Sequence, residues 1–172
     1  MNKLSKQLAK EAQKKGICED WHNKLTTLDD KHSMLKMYLQ GIDFCLANDF
    51  PDNTCIRKHF KGMMEEHGIF LDDDATIKNV SKCVALGSTK IDAQITGYNV
   101  SEFFLKHDAD VTLIVKNSAF VMIDLFDNAR ISVKAYDNAK VCINRYKGAG
   151  RIVPENNDNS VIKIRNKDKK TY

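Results

Sequence analysis

His107–Tyr146 reads HDADVTLIVK NSAFVMIDLF DNARISVKAY DNAKVCINRY, four lines of ten residues that align column by column. Ala109, Ala119, Ala129 and Ala139 form one column, and Val111, Val121, Ile131 and Val141 form the next. Leu113, Ile123, Val133 and Ile143 make a third. Apolar residues two apart point to one face of a β-strand, because side chains alternate across the pleat. Each line opens with His107-Asp108, Asn117-Ser118, Asp127-Asn128 or Asp137-Asn138. Asp and Asn suit turns, since their side chains bond nearby backbone and tolerate left-handed φ/ψ. Ten is even, so inward parity survives from line to line. Like residues then stack on like only if successive units progress in the same sense. That describes a solenoid; an up-and-down sheet, the competing reading, sets the alanines far apart. A strand of about five residues and a turn of about five are too short to close a filled coil. Each decapeptide is therefore read as half a coil, which makes residues twenty apart neighbours.

The register extends outward and decays. Gly87–Thr96 places Ile91, Ala93 and Ile95 in the inward columns, and Gly97–Lys106 places Phe103 and Leu105 there, with Asn99 in the alanine column. After Lys147-Gly148-Ala149-Gly150 and Val153-Pro154, Ser160, Ile162 and Ile164 resume the alternation one residue out of register. Atypical first and last units are expected where a stack must be capped.

Upstream the pattern turns helical. Asn2–Lys15 carries the thin stripe Leu4, Leu8 and Ala12, with Gly16 placed to end a helix that frays or docks on a partner. Trp21, the only tryptophan, is read as a core or interface anchor. Asp29 or Asp30 caps a helix expected to run to Ala47, with Met34, Leu35, Tyr38, Leu39, Ile42 and Leu46 at three- and four-residue spacing. A third helix is expected over Thr54–His67, capped by Asn53 and stopped by Gly68. The fold class is thus α+β: a helical region, residues 1–70, followed by a short β-solenoid of ten-residue repeats, residues 71–172.

The chain has 172 residues, enough to bury a real core, and a net charge of +4. Positive charge gathers at the two ends: residues 1–15 and 163–172 each carry five lysines or arginines against one acid, while residues 107–146 are balanced. Duplex binding wants a contiguous basic stripe, so nucleic acid is not the expected partner. The opening residues lack the apolar core of a signal peptide, and no run is long enough to span a membrane. Cys18, Cys45, Cys55, Cys83 and Cys142 are odd in number and lack CxxC spacing, which suits a reducing compartment. A cytoplasmic location is expected.

Met37-Tyr38-Leu39-Gln40-Gly41-Ile42-Asp43-Phe44-Cys45-Leu46, Phe120-Val121-Met122-Ile123-Asp124-Leu125-Phe126-Asp127 and Ala139-Lys140-Val141-Cys142-Ile143-Asn144-Arg145-Tyr146 resemble an uncharacterised protein family encoded by prophages and mobile elements of Bacteroidales gut bacteria. The likeness covers most of the chain from about Cys18 onward. It implies a phage-linked setting and transfers no activity and no site residue.

Several constellations invite chemistry. Cys55 and His59 are i, i+4 on the third helix, with Cys45 or His67 as further metal ligands, but structural zinc sites announce themselves with two close ligand pairs. No nucleophile turn accompanies Cys55, so a small hydrolase using Cys55 and His59 stands as an alternative only. Asp72, Asp73, Asp74, Asp108, Asp110, Asp127 and Asp137 suggest calcium, yet the turns hold alanine where calcium β-rolls need glycine. No metal and no cofactor is expected. Attention falls instead on the outward columns: Lys116, Phe126, Tyr136 and Tyr146 end successive lines, and Arg130 and Lys140 stand just ahead of strands. Phe126 should lie by Tyr146 and Lys116 by Tyr136. Aromatic faces beside cations suit a planar anionic ligand or the rim of a partner protein.

The expected class is therefore a non-enzymatic binding or interaction protein of phage or mobile-element origin. It is expected to be oligomeric and to counteract host defence by sequestering a nucleotide signal or blocking a defence protein. A virion structural protein is the other alternative.

Overall fold

The computed structural model describes residues 3–172. The chain divides into a helical unit ending at His67 and a β-unit, Gly68–Thr171. Asn2, placed by the sequence in the first helix, lies outside the described residues.

In the helical unit, α1 (Lys3–Lys14) buries Leu4, Leu8 and Ala12, and Ser5 and Ala9 widen that stripe. It ends in a Schellman turn: Gly16 has φ +86°, Gly16 N–H donates to Gln13 O (3.1 Å) and Ile17 N–H to Ala12 O (3.1 Å). Helix α2 (Glu19–Thr26) presents Trp21, whose ring lies against Gly41 and carries Lys24 Nζ 5.2 Å from its centroid. A Cβ at Gly41 would stand 3.3 Å from that ring. The single helix expected through Ala47 is two, α3 (Lys31–Gln40) and α4 (Ile42–Asn48), broken at Gly41 (φ −106°, ψ 35°). The third expected helix is shorter than its pattern. Helix α5 (Asn53–His59) takes Asp52, not Asn53, as its cap, with Asp52 Oδ1 accepting from Cys55 N–H at 2.8 Å. The chain then turns at Gly62 (φ +90°), whose N–H donates to both carboxylate oxygens of Glu65 (2.9 and 3.2 Å), and continues as a 3-10 turn, Glu65–His67. A left-handed glycine overrides the apolar spacing that promised one continuous helix.

Asp30 caps α3 from its side chain, accepting from Ser33 N–H (2.7 Å) and Ser33 Oγ–H (2.6 Å). The Ser33 hydroxyl, then the Ser33 amide, hold the Asp30 carboxyl below its ordinary value of 3.8. A depressed carboxylate contributes stability that is fully present above the ordinary value and is lost as pH falls through the lower folded one. The stability gap between the wild type and Asp30→Ala is therefore expected to be constant near neutral pH and to close below 3.8. Urea unfolding monitored by helical circular dichroism on both sides of that pH checks it.

The β-unit is a parallel β-solenoid of about five coils. Its strands are β1 (Ile69–Leu71), β2 (Asp74–Lys78), β3 (Lys82–Leu86), β4 (Lys90–Ile95), β5 (Val100–Leu105), β6 (Asp110–Val115), β7 (Phe120–Leu125), β8 (Arg130–Ala135), β9 (Lys140–Arg145), β10 (Ile152–Asn156) and β11 (Val161–Asn166). Odd-numbered strands form one six-stranded sheet and even-numbered strands a five-stranded sheet. All pairings are parallel, and pairs such as Val111↔Ile131 and Val121↔Val141 join residues twenty apart. Each decapeptide is thus half a coil, and the two sheets face one another across the stacked columns.

Those columns are the core. Ala109, Val111, Leu113, Val115, Ala119, Val121, Ile123 and Leu125 are all fully buried in one apolar cluster. The alanine column tolerates polar entries where the side chain can satisfy itself. Thr89 Oγ1–H donates to Leu86 O (2.7 Å), and Asn99 Nδ2–H to Thr96 O (2.7 Å). Past Gly148 (φ +87°) the repeat lengthens by one, pairing Ile131 with Ile152 and Val141 with Ile162. Gly150 sits where a Cβ would come within 2.6 Å of Asn128 O and Ala129 O, which no side chain accommodates.

Candidate interaction surface

The turns build two side-chain ladders up the solenoid. At the corners that leave the six-stranded sheet, Asp72, Gly87, His107, Asp127 and Gly148 have positive φ; at the opposite corners Asn79, Gly97, Asn117, Asp137 and Asp158 do. The side chain of each polar member from His107 to Asp158 accepts from the backbone N–H of its counterpart one coil earlier. Gly87 N–H donates to His107 Nδ1 (3.1 Å), His107 N–H to Asp127 Oδ2 (3.2 Å), and Gly97 N–H to Asn117 Oδ1 (3.0 Å). Asn117 N–H donates to Asp137 Oδ2 (2.7 Å) and Asp137 N–H to Asp158 Oδ2 (2.9 Å). Of the acids that suggested calcium, Asp72, Asp127 and Asp137 receive backbone hydrogen bonds between coils, and Asp108 and Asp110 pair with the Asn128 and Arg130 side chains.

The six outward residues singled out from the sequence do not converge. Lys116 and Tyr136 meet at one corner, with Lys116 Nζ 5.4 Å from the Tyr136 ring centroid. Phe126 and Tyr146 meet at the other, their rings stacked at 4.3 Å and 27°. Phe126 is fully buried and Tyr146 is 5% exposed, and burial pushes the Tyr146 hydroxyl above its ordinary value. Neither ring displays a face to a ligand. Arg130 opens β8 and bridges Asp110 one coil below (3.1 Å), whereas Lys140 opens β9 in the other sheet. Asp74, Lys90, Asp110 and Arg130 stack in one outward column of alternating sign, so each charge neighbours its opposite. The column explains these charges without a ligand.

The terminal coil differs from those before it. Its inward positions hold Pro154 over Val133, Asn156 over Ala135 and Asn166 over Arg145. Ile164, stacked on Ile143, remains 39% exposed, and outward Val161 is 51% exposed. Strand β10 blunts its own edge with Pro154. Strand β11 does not, and no strand among the described residues pairs with its outer edge. Val161 N–H donates to Ala139 O (2.9 Å) and Lys167 N–H to Arg145 O (2.8 Å), both toward β9. Parallel strands alternate their bonding sides, so the amides of Ile162, Ile164 and Asn166 point to the open edge. Lys163 and Arg165 stand on the strand and Lys167, Lys169 and Lys170 follow it, against Asp168 alone.

In the helical unit, burial raises the Cys55 thiol to about 11, aided by Glu11 and Asp52. Such a shift favours the neutral thiol, opposite to what a nucleophile requires. The expectation of no metal weighed Cys55 and His59, with Cys45 or His67, and the aspartates of the β region. A different set is assembled by the fold: His32 Nδ1 lies 2.9 Å from His67 Nε2 and 3.0 Å from Glu66 Oε1, which is 3.8 Å from His67 Nε2. His32 and Glu66 escaped sequence reading because nothing in their spacing pairs them; only the neighbouring Glu66-His67 hinted at a ligand pair. No family model, curated protein or solved structure matches this chain.

Proposed function

We propose that the chain is a non-enzymatic interaction protein that binds an extended acidic segment of a partner protein by strand addition to β11. The observation that carries this reading is the β11 edge, with three outward amides and basic residues on and behind the strand. Main-chain bonds to an open edge supply affinity, and side chains alternating along the added strand supply selection. The cluster of bases steers acidic partners toward that edge. A second copy would meet its own positive charge there, so the geometry favours a different protein over end-on self-association. The small planar anion considered from the sequence has less support, because its aromatic residues are engaged or buried. Within the phage-linked setting that the resemblance implies, the partner is a host protein, and occupying its strand-forming segment would block it.

A short labelled peptide alternating Glu and Val is expected to bind the full chain and to weaken at least tenfold as salt is raised, whereas its Lys–Val counterpart should not bind. Amide exchange at Ile162, Ile164 and Asn166 should slow on binding. Ile164→Pro removes one outward donor without touching the bonds to β9, and should abolish capture while leaving the fold intact. Absence of amide protection, or light scattering that shows self-association lost in Ile164→Pro, would overturn the proposal.

A further inference from the structure

The helical unit brings two imidazoles and one carboxylate to a single point. His32 occupies the first turn of α3, whose start is fixed by the Asp30 side chain on Ser33. Glu66 and His67 sit on the 3-10 turn, held by Glu65 on the Gly62 amide and anchored by buried Phe60 and Met64. The two imidazoles are 35 positions apart in the chain, so their meeting is a product of the fold.

Proton counting shows what such a cluster lacks. His32 Nδ1 and His67 Nε2 are 2.9 Å apart, so only one of them can carry a proton between them; two N–H groups would collide. Glu66 Oε1, 3.0 Å from His32 Nδ1, is a further acceptor when ionised. Three atoms with lone pairs therefore converge, and the two imidazole nitrogens share at most one proton between them. Without an ion, a single N–H on His32 Nδ1 has to be shared between two acceptors; a cation accepts all three lone pairs directly.

We infer that His32 Nδ1, His67 Nε2 and Glu66 form a binding site for a divalent first-row transition ion of the zinc class. Two imidazoles select against magnesium and calcium, which take oxygen ligands. Two nitrogens and a carboxylate are a recurrent three-ligand zinc set that leaves a fourth position to water. Ligands about 2.05 Å from a tetrahedral centre stand roughly 3.3 Å apart. Closing the set around an ion therefore asks the two short separations to open and the 3.8 Å one to shrink by a few tenths of an ångström. Half-exposed His32 and 62%-exposed Glu66 have the freedom to make that adjustment. The bound ion clips the start of α3 to the 3-10 turn.

The test uses the full chain without a histidine tag, titrated with Zn(II) by calorimetry and with Co(II) by visible absorption. One equivalent is expected to bind, with tetrahedral Co(II) bands. His32→Gln and Glu66→Gln, both at exposed positions that leave the helix cap and turn untouched, should each weaken binding at least tenfold. His67→Gln should do the same with an unchanged circular dichroism spectrum. Cys18→Ser, His22→Gln and His59→Gln remove other candidate ligands of the helical unit and should change nothing. Zn(II) should also slow amide exchange in the first turn of α3 in the wild type and not in His32→Gln. Absence of binding, binding that survives the His32→Gln/His67→Gln double variant, or binding that tracks Cys18 would overturn the assignment.

Discussion

Replacing Phe103 with alanine is expected to lower the stability of the β-unit by about 3–5 kcal/mol, the range for a fully buried phenylalanine whose site cannot collapse. Phe103 is 0% exposed and stands in the column Cys83, Phe103, Ile123, Ile143 on successive strands of the six-stranded sheet. Parallel pairing holds the strands on both sides in register, so the coil has little freedom to shrink around the lost ring. The same coil offers Ala93 from the five-stranded sheet, where the coils above hold Leu113 and Val133. A small residue on one sheet accompanies a large one on the other, as expected if each coil fills a constant volume at interior density. That supplies a sharper test than the single change. Ala93→Val in the wild type should destabilise by overpacking, by about 1–3 kcal/mol. In a Phe103→Ala background it should be neutral or stabilising. Urea unfolding followed in the β-sheet region of the circular dichroism spectrum gives the four stabilities. If the two changes add to within about 0.5 kcal/mol, the residues are uncoupled and the constant-volume account fails.

Position along the stack sets the scale of such losses, because each coil contacts only its neighbours. Ile164 occupies the same column as Phe103 but lies in the terminal coil at 39% exposure. Its loss removes fewer contacts from fewer partners. The residue at the centre of the proposed edge contact is thus cheap to alter in the core, which keeps tests of that proposal separable from stability.

The solenoid was legible in sequence because three independent regularities agree: alternation by two, recurrence by ten, and turn residues at the head of each line. The recurrence of like residues in the same columns pointed to parallel stacking over an up-and-down sheet, and Gly148 marked the place where the register slips by one. The pairing of Phe126 with Tyr146 and of Lys116 with Tyr136 followed from the half-coil reading. Their inability to act as one surface did not, since alternation says which side chains point outward and nothing about what buries Phe126 there. In the helical unit, apolar spacing ran through Gly41 and Gly62 without a break. The breaks fall at Gly41, where the backbone leaves helical φ/ψ beside the Trp21 ring, and at Gly62, whose φ is left-handed. His67 was considered as a ligand, but with Cys55 and His59; its partners His32 and Glu66 were missed because ligands from separate turns share no spacing rule. The open edge of β11 needed the last pairing partner to be known before it had any meaning.

Asp137 joins the two devices that hold the corners, and substitutions there should separate them. Its φ of 56° is a conformation that costs an ordinary L-residue about 1 kcal/mol and a glycine almost nothing. Its carboxylate accepts from Asn117 N–H (2.7 Å) and Asn117 Nδ2–H (3.2 Å), while its own amide donates to Asp158. Asp137→Asn keeps an acceptor and a side chain at home in the left-handed region, so it should cost less than about 1 kcal/mol. Asp137→Gly keeps the conformation and loses the bonds, isolating a charge-assisted term of about 1–2 kcal/mol at this exposed corner. Asp137→Ala loses both and should cost about 2–3 kcal/mol. Asp137→Val, β-branched and strained at positive φ, should be worst of the four. Amide exchange at Asn117 discriminates further, because its N–H is freed in the glycine and alanine variants and retained in the asparagine variant. If alanine and glycine prove equal in stability, the corner is held by the side-chain ladder alone. If glycine matches asparagine with Asn117 still protected, backbone conformation governs the turn and the ladder is incidental to it.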